Sequence, residues 1–281
     1  MARTLSAGAE LKLDRKLTAE KNGYRYSLER VGSVVWYEVA NGPATVRVPV
    51  FWVFGTGRTG QTFVFSREGK LYESRVSYYP AIGGLDLTMG AANSAPRDLE
   101  EAAGRLMSKA DVSDCFGCHS TSRHMAKIVP GVQCELCHGE TSSHPAKQPM
   151  KSLKKATTDE ITELCGACHR TWEQVKLLNL RGVAAVRFQP YRLSQSKCYD
   201  LTDRRISCTA CHDPHQPQIM SEARVDRACQ SCHAAAEAKH CPKAKQDCAT
   251  CHMPKYDLPG AHAKFSDHRI RVAHAGEAFL D

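Results

Sequence analysis

Six times in this 281-residue chain, a pair of cysteines two residues apart is followed at once by histidine. The runs are CFGCH at Cys115–His119, CELCH at Cys134–His138, CGACH at Cys165–His169, CTACH at Cys208–His212, CQSCH at Cys229–His233 and CATCH at Cys248–His252. C-x-x-C-H is the attachment signature of c-type haem. The two thiols add across the porphyrin vinyl groups, and the adjacent histidine becomes the proximal ligand of the iron. Structural zinc also uses C-x-x-C pairs, but it takes two pairs per ion and has no use for a histidine after every second cysteine. A thioredoxin-like dithiol would occur once, in a βαβ setting. The expectation is six haem c groups. They are held covalently by Cys115, Cys118, Cys134, Cys137, Cys165, Cys168, Cys208, Cys211, Cys229, Cys232, Cys248 and Cys251. The proximal ligands are His119, His138, His169, His212, His233 and His252.

Those sites consume twelve of fourteen cysteines. Haem c is attached on the oxidising side of a membrane, where spare thiols tend to pair, so the expectation for Cys198 and Cys241 is a disulfide. The alternative is a pair of buried free thiols acting as small hydrophobes. MARTLSAGAE lacks an apolar leader region and no stretch approaches ~18 apolar residues, so no transmembrane segment is expected. The reading is a secreted chain, periplasmic or extracellular, with its signal peptide removed. The formal charge of +8 does not point to nucleic acid. Six haems, each with two propionates against an oxidised core of about +1, bring roughly −6. The excess Lys and Arg then reads as propionate partners and a solvated face.

Residues 1–92 contain neither cysteine nor histidine and read as strands. YRYSLERV (24–31) and VVWYEV (34–39) flank a turn at Gly32-Ser33, and TVRVPVFWVF (45–54), QTFVFS (61–66) and LYESRVSYY (71–79) follow. Alternation and aromatic and β-branched enrichment predict an antiparallel meander of about five strands. Gly55–Gly60 matches G-x-G-x-x-G, but a dinucleotide site needs a helix directly after it, and strand formers follow here. The stretch 80–96, rich in Gly, Pro and small residues, reads as a linker. Arg97–Ala110 has helical spacing. Further helices are expected at 158–165, capped at its start and delivering a motif at its end, and at 221–238. The fold class is therefore α+β: an N-terminal antiparallel β-domain (1–92), then a mostly α or irregular hexahaem domain (93–281) whose core is largely porphyrin.

Seven histidines lie outside the motifs: His124, His144, His215, His240, His262, His268 and His274. Six irons need six distal ligands, so this count favours bis-histidine ligation with one histidine to spare. His215, three residues beyond His212, and His144, six beyond His138, are placed to serve a neighbouring haem. His262 and His268 can fold back after the last motif. Met107, Met125, Met150 and Met220 read as packing residues, and Met253 adjoins its own proximal histidine.

GVQCELCHGETSSH, CTACHDPH and CATCHMPK resemble the multihaem cytochrome c family typified by the tetrahaem electron carrier of ammonia oxidisers. GTGRTGQTFVFSREGKLYESRVSYYPAIGGLDLTMG resembles the segment preceding the haems in large members. The resemblance spans roughly residues 45–270. It implies parallel and perpendicular haem pairs, with His144 and His215 as distal ligands. Six haems and a β-domain depart from that pattern.

The leading functional expectation is electron relay between redox partner proteins, with no catalysis. Saturated bis-histidine irons leave no open position for substrate. Two alternatives stand beside it. One is a subunit of a polymeric filament, built by edge-strand pairing or by a ligand donated between copies. The other is an oxidoreductase acting on a small nitrogen or sulfur compound at one open haem.

Overall fold

A computed structural model describes residues 5–8, 11, 13–121, 128–139, 152–199, 205–216, 221–233, 241, 243–244 and 246–281. The chain forms two compact units. Residues up to Leu136 together with Pro259–Ala263 form one, and Cys137–Leu258 with Lys264–Asp281 form the other.

The first unit is a nine-stranded antiparallel sheet. Its path runs through β2 (Leu17–Lys21), β3 (Tyr24–Val31), β4 (Val34–Asn41), β5 (Ala44–Phe54), β6 (Gln61–Arg67), β7 (Lys70–Tyr79) and β8 (Gly84–Leu87), with β1 (Leu5–Ala7) on β5 and β9 (Gly104–Leu106) on β7. The five expected strands are β3 to β7, and short turns join them in sequence order. The G-x-G-x-x-G stretch is the β5–β6 loop, followed by a strand; Gly55 and Gly57 both have positive φ, which favours glycine. The sheet rolls towards a barrel, with Lys21 of β2 holding Asp86 of β8 at 2.7 Å.

Alternation along the strands sends Tyr26 and Leu28, Val35, Tyr37 and Val39, Phe63, Phe65 and Val76 into one core. Each such side chain contributes about 1.5–3 kcal/mol on burial. Helix α1 (Leu99–Ala103) adds Ala102 and Ala103 to this core, and buried Tyr37 donates its hydroxyl to the Ala103 carbonyl at 2.9 Å.

Two expectations need correction. The 80–96 stretch is not a plain linker, because it contains β8, paired to β7 from Val76↔Leu87 to Tyr79↔Gly84. The expected helix over 97–110 is broken. Gly104 ends α1 in extended backbone and starts β9, and a Cβ there would collide with the Glu73 carbonyl of β7. The close strand approach overrides the helical spacing.

The second unit is a set of short helices. α4 (Thr158–His169) starts at a capping box between Thr157 and Glu160, one residue ahead of the expected cap. α5 (Trp172–Leu177) follows, then α6 (Gln189–Leu193), α7 (Cys208–Cys211), α8 (Glu222–His233) and α9 (Cys248–His252). Strands β10 (Lys255–Leu258) and β11 (Ala263–Ser266) form a hairpin. A bidentate ion pair with no solvent exposure, Arg192 to Asp267 at 2.8 and 2.9 Å, crosses this unit. The Arg192 guanidinium also lies 4.3 Å from the centre of the Phe279 ring.

Candidate haem-attachment sites

All six motifs sit at helix ends. α2 (Lys109–His119) closes with CFGCH, and α3 (Cys134–His138) is CELCH. α4 and α8 close with theirs, α9 is CATCH, and His212 caps the C-terminus of α7. Residues i, i+3 and i+4 share one helix face, so two thiols and an imidazole project together from one turn. This is the physical reason the spacing suits a flat macrocycle carrying two vinyl groups and an iron. Among the described residues, no three His, Cys, Asp or Glu side chains gather as a zinc site would need.

The first motif is seated on the β-sheet. Phe54 of β5, Val64 of β6, Met107 and Phe116 form a second buried cluster, with Trp52, Leu71, Val112 and Cys115 packed against it. Phe54 meets Phe116 and the His119 imidazole edge-on, both at 5.1 Å. Burial pushes the Cys115 thiol up to about 11. α2 itself is fixed by a capping box, Ser108 with Asp111.

In the second unit two non-motif histidines come to motif histidines. His215 pairs with His138 at 6.0 Å between ring centres and 15° between planes, and His268 pairs with His212 at 6.1 Å and 28°. Two imidazoles bound to opposite faces of one metal, through bonds of about 2 Å each, have ring centres about 6 Å apart. The two rings of each pair are therefore spaced as a pair that could hold one metal ion between them. Each pair joins different motifs: His215, just after the fourth, reaches the second, and His268, beyond the sixth, reaches the fourth.

Hydrogen bonds orient these rings. His268 Nδ1 donates to the Ser266 carbonyl (3.1 Å), His252 Nδ1 to the Arg271 carbonyl (2.9 Å) and His169 Nδ1 to Gln189 Oε1 (2.9 Å). In each case Nε2 is left for a metal, the second-sphere pattern of ligating histidines. Burial, opposed by the Ser266 carbonyl and reinforced by His212 and His169, pushes His268 down to about 4. The ring is neutral at physiological pH, as ligation requires.

Cysteines of successive motifs also meet. Cys165 and Cys208 share a hydrogen bond that, together with burial, pushes the Cys165 thiol up, and Cys229 and Cys248 are likewise bonded.

The other candidates are placed as follows. His262 sits against the β-sheet with Nε2 2.9 Å from Asp86 Oδ2. His274 is exposed, next to Ala273, whose amide donates to the Cys251 carbonyl. His124, His144 and His240 lie outside the described residues, as do Met125, Met150 and Met220. Met107 is buried packing. Cys198 and Cys241, the expected bridge partners, are both exposed.

Three positioning groups escaped the sequence reading. The Arg192–Asp267 pair fixes the residue before His268. Ser196 Oγ donates to the His268 carbonyl and accepts from Ile270 N. Asp226 of α8 accepts from Asp247 N and Cys248 N at 2.8 and 2.9 Å, which caps α9 and its motif. None has a local signal, since each partner lies more than twenty residues away.

Comparisons with known proteins agree with this chemistry. A family model described as a doubled CXXCH motif matches residues 202–238, the stretch carrying the fourth and fifth motifs. The Multiheme cytochrome MtrA of Shewanella baltica (strain OS185) is 24% identical over 185 residues, 60% of this chain and 50% of that protein. The chain thus spans about half the length of this curated relative. No solved structure matches. The motifs and the sequence comparisons together support the class: c-type cytochrome, multihaem, electron transport. No helix among the described residues is long and apolar enough to cross a membrane.

Proposed function

We propose that this chain is a periplasmic or extracellular electron carrier that relays electrons between redox partner proteins through six closely packed, mostly bis-histidine haems. The observation that carries this reading is the pairing of His138 with His215 and of His212 with His268 at the span of a bis-imidazole metal site. His212 and His215 stand three residues apart and would serve two different irons, which ties the second and fourth sites closely together. Bound haem supplies one-electron redox chemistry at each motif. The motif cysteines would attach it, and His138 with His215 and His212 with His268 would hold two of the irons and leave them no place for exogenous ligands. Cys165 beside Cys208 and Cys229 beside Cys248 bring the third and fourth, and the fifth and sixth, attachment sites close, which favours hopping between them.

Intact-mass spectrometry of denatured protein tests the count; six attachments add about 3.7 kDa, at ~0.6 kDa each. Low-temperature EPR of the oxidised protein tests the ligation and should show low-spin iron only. An unmodified mass defeats the reading. So does a dominant high-spin signal that responds to nitrite, hydroxylamine or nitric oxide, which would favour the oxidoreductase alternative.

A further inference from the structure

Resting on the bis-histidine reading, we infer that His262 is not an iron ligand but the clip that fastens the tip of the β10–β11 hairpin to the β-sheet. The tip, Pro259–Ala263, belongs to the first compact unit. There, His262 Nε2 lies 2.9 Å from Asp86 Oδ2, and an ionised carboxylate only accepts, so Nε2 carries the proton. Nε2, the nitrogen that His268, His252 and His169 leave for a metal, is thereby committed in His262, and only Nδ1 keeps a lone pair.

The contrast with the other rings is direct. His268, His252 and His169 each commit Nδ1 to a hydrogen bond and leave Nε2 for coordination. His262 commits Nε2, and its partner is a carboxylate already held by Lys21 at 2.7 Å. Its ring packs on Tyr79 at 4.7 Å between centres, beside fully buried Ala261. Its backbone, at φ 50°, lies in the left-handed region, a conformation kept only where surrounding contacts hold it. Asp86 and Tyr79, the two side chains that meet this ring, both come from the sheet. Seven non-motif histidines for six irons leave one over, and the geometry assigns that place to His262.

The test uses the holoprotein and two variants. His262→Gln keeps a side-chain donor, and Asp86→Asn attacks the clip from the other side. Oxidised EPR of both should show the same low-spin signals as the parent, with no high-spin component. Amide exchange at residues 260–263 should quicken at least ~10-fold in Asp86→Asn, while exchange across β3 and β4 stays unchanged. A high-spin haem in His262→Gln overturns the assignment. Unchanged exchange at the tip in Asp86→Asn overturns the clip. His268→Ala is the control for the underlying reading: it should produce one high-spin haem, and if it does not, bis-histidine ligation fails whatever His262 does.

Discussion

The two units solve the problem of a core in opposite ways. The first buries a continuous cluster drawn from seven strands and a helix, from Leu17 and Tyr26 through Phe65 and Val76 to Ala103. In the second, the buried hydrophobics among the described residues are Ile161, Val175, Ala185, Val186 and Leu258, while Leu177, Leu178 and Val272 stand exposed. The alternating strands bring enough apolar area to fold on their own account. The motif helices are too short and too polar to do so, since helices under about a dozen residues depend on tertiary packing. On the proposed reading the missing apolar surface is the porphyrin's own, and the second unit would fold as a shell around its cofactors.

The sharpest way to break that contrast is to block attachment. Serine at all twelve motif cysteines should leave the β-sheet folded and the second unit open, because a ligand that binds only the folded form supplies its stability. Limited proteolysis read by mass spectrometry should leave a core within residues 17–107 and cut 152–258 at least ~10-fold faster than in the holoprotein. Equal resistance of both units would show that the second has a polypeptide core after all.

The next largest effect isolates the polar element that the second unit does possess. Asp267→Asn leaves the Arg192 guanidinium buried without its counter-ion, and breaking such a pair costs about 3–5 kcal/mol. Because Asp267 precedes His268, the fourth site should suffer as well. Thermal melting followed at the Soret band should shift down, and EPR should show a fractional high-spin signal. Replacing both partners by apolar residues of similar volume should be milder. A loss below ~1 kcal/mol for the single variant would remove this pair from the account.

What was legible in the sequence follows the same division. Strands β3 to β7 were readable because each presents an alternating face over seven or more residues. β2, β8 and β9 were not, being five residues or fewer with no long pattern of their own. The helix expected over 97–110 failed at Gly104, where a contact with Glu73 thirty-one residues away decides the backbone. In the candidate sites, the six C-x-x-C-H runs were readable from spacing alone. Which later histidine comes to a motif histidine was not, because His262 and His268 are the same residue type six positions apart. Only the partner of each ring nitrogen, Asp86 or the Ser266 carbonyl, tells them apart.

A smaller perturbation should touch the first unit alone. Tyr37→Phe removes the buried donor to the Ala103 carbonyl and leaves an unsatisfied acceptor, a cost of about 1–3 kcal/mol. Urea unfolding followed by tryptophan fluorescence should shift accordingly, and of the haem absorption only the share from the first motif, which is seated on this sheet, should change with it. A coupled loss of the whole Soret signal would mean that the units do not unfold separately.

The smallest effect concerns acid. The Arg105 guanidinium first, and then the Ser108 cap, hold the Asp111 carboxyl down at about 2. A carboxylate whose folded pKa lies below its unfolded value of about 3.9 stabilises above that value, and the contribution is lost as pH falls through the folded one. Asp111 is largely exposed to solvent screening, so the pair is worth roughly 0.2–1 kcal/mol. Melting of the first unit should be insensitive to this group from neutrality to about pH 4.5 and should decline between about pH 4 and 2. Asp111→Asn should flatten that decline slightly and lower the plateau by the same amount, because asparagine keeps the cap geometry but not the charge facing Arg105. If the variant and the parent fall in parallel, the ion pair adds nothing and the start of α2 is held by the Ser108 hydroxyl alone. Its motif would then depend on the Phe54–Phe116 packing beneath it.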